Sequence, residues 1–327
     1  MIISRTPLRV SFFGGGSDLP AYYRRHGGAV LSTAIDKSVY VTVSRKFDEA
    51  VRVSYSRTEE VARAADVEHP LVRESLALLG IEGGVEITSI ADIPARGAGL
   101  GSSSAFTVGL LNALHAYKGR HASAARLAEE SCAIEIDRCG EPIGKQDQYA
   151  AAFGGFNYIR FHPDDRVEVT KVVCPAEVTA ELQRRLLFFY TGVTRSASSL
   201  LGAQSAAVAR PGAAASATGE LTCLAGQAFE AVCNGDIDPL GPMLDAAWRL
   251  KKGLAAGVSN GQIDQAYEAA RNAGAEGGKL LGAGGGGFLM FLAPPQRHDA
   301  IRAALGSLRE TPFQFARQGS SIIFVHD

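Results

Sequence analysis

Gly97-Ala-Gly99-Leu100-Gly101-Ser102-Ser103-Ser104 is the stretch of this chain best suited to chemistry, because three alternating glycines run straight into three hydroxyls. Glycine takes positive φ cheaply and lets backbone approach a ligand closely. Apolar residues at Phe106, Leu110, Leu111 and Leu114 predict a helix over 105–117. The first turn of such a helix offers unpaired N–H groups and the positive end of a dipole, which suits a phosphate. A lone cap would account for Ser102, but not for three glycines and three serines together. A Walker loop would end in Gly-Lys-Ser/Thr, and no lysine follows Gly101. A dinucleotide fingerprint needs G-x-G-x-x-G, whereas this loop reads G-x-G-x-G.

Further charged residues stand at unusual places. Arg9 lies inside an apolar run over 2–13 that reads as a strand and ends in Gly14-Gly15-Gly16-Ser17-Asp18. An edge-strand arginine facing water is the plain alternative, but the glycines allow close backbone approach and deliver Asp18 on a tight loop. Glu135 falls on a predicted helix over 122–138, and Asp147 in the turn Gly144-Lys-Gln-Asp147-Gln. By themselves they read as a solvated carboxylate and as an acid at a helix N-terminus.

The elements that must position these residues form an α+β pattern. Strands are expected at 29–32, 38–44, 51–55 and 85–89, a helix at 70–79, a hairpin over 156–173 and a strand at 186–190. Helices follow at 196–208, 217–233 and 239–252, with the Ala/Gly/Ser-rich 210–218 read as a flexible loop and Trp248 as core. The glycine run Gly282 to Gly287 precedes a strand-like stretch instead of opening a helix, so it is not a dinucleotide loop. Residues 297–326 fit a helix and then strands closing a second sheet. A boundary at Cys174-Pro175 divides the chain into 1–175 and 176–327.

With 327 residues, 33 Lys plus Arg against 34 Asp plus Glu and a net charge of -1, the chain lacks the basic excess of a nucleic-acid binder. Five cysteines, odd in number and without a C-x-x-C pair, suit a reducing compartment better than a disulfide framework or zinc site. No signal-peptide pattern opens the sequence and no long apolar run crosses a bilayer, so a cytoplasmic protein with no membrane partner is expected. Self-association into a homo-oligomer is left open.

The stretch from Pro94 to Ala105 resembles the second signature of the GHMP small-molecule kinases, with one additional serine. Arg9-Val-Ser-Phe-Phe-Gly14-Gly15-Gly16-Ser-Asp18 is similar to the N-terminal signature of galactokinases, with Gly15-Gly16 where those carry Glu-His. The separation of Glu135 from Asp147 matches that of the family's metal-binding glutamate and catalytic aspartate, and the run from Lys279 to Leu292 resembles the third signature. The resemblance implies a two-lobed fold, with an N-terminal domain of the ribosomal-protein-like α+β type and a C-terminal α/β-plait, or ferredoxin-like, domain.

It also implies ATP and Mg²⁺. Gly97, Gly99, Leu100, Gly101 and Ser102 to Ser104 would hold the nucleotide phosphates, Ser103 and Glu135 the metal, and Asp147 and Arg9 would be catalytic. Gly15, Gly16, Asp18, Asp147 and Arg195 would face a small-molecule sugar or sugar phosphate. Within the family, the opening Arg5-Thr-Pro-Leu-Arg9 and Gly144-Lys-Gln-Asp147-Gln-Tyr look most like the D-glycero-D-manno-heptose 7-phosphate kinases of surface-polysaccharide synthesis. Arg24, Arg25, Lys145, Arg195 and Lys252 are candidates for a substrate's own phosphate. A kinase of an unphosphorylated sugar such as fucose or mannose, and a sensor that keeps the fold without transfer, are the alternatives.

Overall fold

The computed structural model describes residues 1–93, 97–193 and 197–326. Its strands are β1 Ile2–Phe13, β2 Gly28–Arg45, β3 Val51–Ser54, β4 Thr58–Val61, β5 Val85–Ala91 and β6 Phe156–Phe161. They continue with β7 Val167–Lys171, β8 Leu186–Tyr190, β9 Gly277–Leu280, β10 Phe288–Leu292, β11 Arg309–Glu310 and β12 Ser321–Val325. The first sheet runs β12-β1-β2-β5-β3-β4, with β6 pairing β2 and β7. The second runs β11-β8-β10-β9, all antiparallel, with helices after β8 and between β10 and β11, which is the α/β plait that the sequence led us to expect.

β2 replaces the two expected strands because one long strand serves two neighbours. Its residues 28–33 pair with β6 and 39–45 with β5, and the polar Asp36-Lys37 between them looked like a break in the sequence. Three expectations need correction. The segment 210–218 is not a flexible loop, since a helix runs Ala213–Cys233. Its alanines favour helix, and Thr218 is buried with its Oγ1 donating to Ala214 O. The helix over 122–138 ends at Cys132 and continues as one π-helical segment, Ala133–Arg138. The last strand, β12, joins the first sheet along Ile2 to Arg5 of β1 instead of closing the second. Ser320 anchors it there, bonded to Thr6 Oγ1 at 2.8 Å and accepting from Asn112 Nδ2 at 3.0 Å.

The helix Ser102–Tyr117 lies across the first sheet, buried from Ala105 to His115 save for Phe106. Packing on all sides suppresses an amphipathic pattern and fixes the helix rigidly. One apolar core joins Val10, Val41 and Leu111 to Phe188, Leu244 and Met290. Among the described residues no helix is long and apolar enough to cross a membrane.

Candidate active site

A cavity of about 1290 Å³ opens above the N-terminal end of the helix Ser102–Tyr117. Gly97, Gly99, Gly101 and Ser102 to Ser104 line it together with Arg9, Gly15, Gly16, Asp18, Glu135 and Asp147. Gly101, not a serine, is the N-cap: its φ of 74° is left-handed and no side chain caps the turn. The first N–H groups of the helix are therefore left to whatever enters the cavity. A Cβ at Gly101 would approach Arg9 Cγ and Asp147 Cγ to 3.3 Å, which shows how tightly the helix start and the charged pair adjoin. Leu100 does not line the cavity, because its side chain is wholly buried, but its carbonyl accepts from the Arg9 N–H at 3.0 Å. Arg195 lies outside the described residues.

Arg9 is not an edge-strand arginine in water; it is 4 % exposed. β12 stops at Arg5, so although Arg9 stays opposite Ala34 of β2, its N–H is free to donate to the glycine loop. Its guanidinium donates from Nε to Asp147 Oδ1 at 2.7 Å, from Nη2 to Asp147 Oδ2 at 2.9 Å, and from Nη1 to Gly99 O at 2.7 Å. A bidentate fork of this kind fixes the plane of the carboxylate. Asp147 occupies the first turn of the helix Gln146–Phe153, and its side chain stays a quarter exposed toward the cavity.

Glu135 lies on the π-helical segment, where the wider turn brings it inward beside buried Ile134. Ser103 Oγ donates to its Oε1 at 3.0 Å and Gln148 Nε2 to its Oε2 at 2.6 Å. Burial pushes this carboxyl up to about 7 and Asp147 repels it, while Ser104, Gln148 and Ser103 oppose the shift. A buried carboxylate and a hydroxyl that open onto a phosphate cradle are hard oxygen donors, and a divalent cation would relieve the cost of burying the charge. The residues fit Mg²⁺, which is commonly held by one or two carboxylates plus phosphate oxygens.

Asp18 is 3 % exposed and accepts from the N–H groups of Gly16 and Gln146 and from Gln146 Nε2. Burial first, and then Asp147, raise its carboxyl above the ordinary range against the pull of the backbone N–H groups. Of the cations proposed for a second phosphate, the four among the described residues do not line the cavity. Arg24 and Lys145 pair with Asp165 at 3.1 and 3.0 Å, Lys252 with Asp264 at 3.2 Å, and Arg25 donates to Ala209 O.

Two lysines that sequence reasoning missed take their place. Lys279, in β9, donates to Ser11 O at 2.9 Å and Phe12 O at 3.0 Å. Burial, with Lys251 and Arg9 nearby, lowers its ammonium well below the ordinary range. Lys251 donates to Gly282 O at 2.6 Å. A cation inside an apolar strand was the signal that singled out Arg9, and Lys279 beside Leu280 and Leu281 carried the same one. The far end of the cavity, lined by Tyr55, His69, Ile90, Ile93 and Phe106, is largely apolar, and no sequence pattern marked these residues as part of a site.

This is what phosphoryl transfer asks of a protein, namely a phosphate cradle, hard ligands for a metal and a carboxylate held by an arginine. The GHMP kinases N terminal domain family matches residues 43–155, and the GHMP kinases C terminal family matches 228–309. A mevalonate kinase from Pyrococcus horikoshii is 30% identical, covering 91% of this chain and 82% of its own. A D-glycero-alpha-D-manno-heptose 7-phosphate kinase from Campylobacter jejuni is 28% identical over 97% of both chains. The crystal structure of a D-glycero-D-manno-heptose 1-phosphate kinase from Bacteroides thetaiotaomicron superposes with a TM-score of 0.81 at 25% identity over all of both chains. The chain belongs to the GHMP kinases and is an ATP-dependent kinase.

Proposed function

We propose that the protein transfers the γ-phosphoryl group of ATP to the anomeric hydroxyl of a sugar, and that the sugar is D-glycero-α-D-manno-heptose 7-phosphate. The product would be the 1,7-bisphosphate, an intermediate toward nucleotide-activated heptose. The observation that carries the reading is the convergence of the glycine loop, the Ser103–Glu135 contact and the Arg9–Asp147 fork on one cavity. The heptose acceptor is favoured by the Campylobacter relative, which matches nearly end to end.

In this mechanism the apolar arm beside Phe106 takes the purine, and the N–H groups of Ser102 to Ser104 hold the β- and γ-phosphates. Ser103 and Glu135 would hold Mg²⁺, which supplies positive charge to the phosphate oxygens. Asp147 orients the acceptor hydroxyl and takes its proton as that oxygen bonds to the γ-phosphorus and the bond to the ADP oxygen breaks. Arg9 fixes the plane of the Asp147 carboxylate through its two-point contact and offsets the charge on the moving phosphoryl group. Asp18, aligned by three donors, accepts from neighbouring sugar hydroxyls.

Steady-state assays with Mg-ATP and a panel of heptose 7-phosphate, the unphosphorylated heptose, fucose, mannose, galactose and mevalonate test the assignment. The expected result is a kcat/KM for heptose 7-phosphate at least tenfold above any other. A free sugar preferred over it would replace the heptose reading, and mevalonate preferred over all would remove the sugar.

A further inference from the structure

On the acceptor side of the cavity, polar groups are buried with hydrogen-bonding capacity that the chemistry above leaves unused. Ser11, 5 % exposed, has no partner for its Oγ, and Gln146 has none for its Oε1. Lys251, 7 % exposed in the last turn of the helix Leu240–Lys252, makes one hydrogen bond, to Gly282 O, although an ammonium carries three donors. These side chains face one point: a Cβ built on Gly15 would stand 3.7 Å from each of Ser11 Oγ, Lys251 Nζ and Gln146 Nε2. All of them line the cavity. Among the described residues, the other lysine and the arginine lining it are committed, Arg9 to Asp147 and Gly99 O, and Lys279 to two carbonyls of β1. Burying an ammonium with idle donors beside orphaned oxygens is costly unless a ligand completes them.

We propose that Lys251 is a specificity-determining residue that touches the acceptor, forming with Ser11 and Gln146 a subsite for the oxygen-rich face of the sugar beside the reacting hydroxyl. The ammonium donates to a sugar or phosphate oxygen of the acceptor. Gln146, whose Nε2 already serves Asp18, accepts a sugar hydroxyl at Oε1, and Ser11 can do either. The inference rests on the sugar-kinase reading and adds a contact from the C-terminal half of the chain.

The charges around Lys251 give the subsite a pH signature. It faces Arg9 on β1, Asp18 on the loop after β1, Asp147 on the helix Gln146–Phe153 and Lys279 on β9. Burial foremost, and then Arg9, push it down to about 8 against the attraction of Asp18 and Asp147. The ammonium is therefore present below about pH 8 and lost above it, so acceptor affinity falls as pH rises through 8 while nucleotide affinity does not follow.

The test is steady-state kinetics of the wild type, K251M and K251R with heptose 7-phosphate and with the unphosphorylated heptose, from pH 6.5 to 9.5. K251M is expected to raise the acceptor KM roughly 10- to 100-fold, the range for one hydrogen bond to a charged group, with the Mg-ATP KM within twofold. In the wild type the acceptor KM climbs above pH 8, and in K251R, which stays charged, that climb is absent. A penalty confined to the 7-phosphate makes the contact a phosphate oxygen, and an equal penalty on both makes it a sugar oxygen. An unchanged acceptor KM in K251M overturns the inference, as does an acceptor KM with the same pH dependence in the wild type and K251R. The latter comparison decides even where K251M folds poorly. A wild type that phosphorylates no sugar removes the sugar-kinase reading itself, an outcome distinct from an active enzyme indifferent to Lys251.

Discussion

Asp147 accepts two hydrogen bonds from Arg9 and still presents a quarter of its side chain to the cavity, so positioning and proton acceptance can be separated at this one residue. Asparagine retains an oxygen for Arg9 but takes no proton. Asp147→Asn is expected to lower kcat by roughly 10²- to 10⁴-fold, the range for general-base catalysis, with Mg-ATP affinity within a few-fold. A variant with full kcat, measured by coupled ADP release, would show that Asp147 only orients. At this scale the sequence made one half of the site legible and hid the other. Arg9, Asp18 and the serines could be singled out because each sits in a local pattern of glycines, and Glu135 and Asp147 because their separation resembles that of the family's metal-binding glutamate and catalytic aspartate. Lys251 could not, since what marks it is burial and a carbonyl at Gly282, and neither is visible in the neighbouring residues of its own helix.

Among the elements, the glycine run before β10 acts on the phosphate loop by bare proximity. A Cβ on Gly282 would lie 2.4 Å from the Gly99 Cα, and Gly282 has a φ of +79° besides. The same Gly282 offers its carbonyl to Lys251, so displacing it should disturb nucleotide and acceptor together. Gly282→Ala is expected to cost about 2 kcal/mol or more in denaturant unfolding, combining left-handed strain with overpacking, and to raise the KM for Mg-ATP. Gly261→Ala is the control, since its Cβ would meet open space at the start of a helix, and it should leave stability within about 0.5 kcal/mol. Equal effects from the two would show that the close approach to Gly99 is unimportant. Element types were readable wherever periodicity was local, as in the helix Pro70–Leu79 and the strand Leu186–Tyr190. They were not readable where tertiary packing decided, as in the alanine-rich start of the helix Ala213–Cys233 or the π-helical turn under Glu135.

For the molecule as a whole, the cavity is closed by groups from both ends of the chain. Arg9 and Asp147 come from the first sheet and its helices, whereas Lys251, Lys279 and Gly282 come from the elements of the second. Beneath them one apolar core continues from Val10 through Leu111 to Met290, and β12 brings the end of the chain back onto β1. Ser320, just before that strand, is bonded to Asn112 on the helix that opens with the three serines, so the two ends of the chain and the phosphate loop share one support. A ligand that binds only when both sides are in place must stabilise both. A non-hydrolysable ATP analogue with Mg²⁺ at about one hundred times its dissociation constant contributes about 2.7 kcal/mol by mass action. Scanning calorimetry is therefore expected to show one unfolding transition that moves upward by several degrees as a unit when the analogue is added. Two transitions of which only the lower or the upper moves would show that the halves melt apart, and would confine nucleotide contact to one of them.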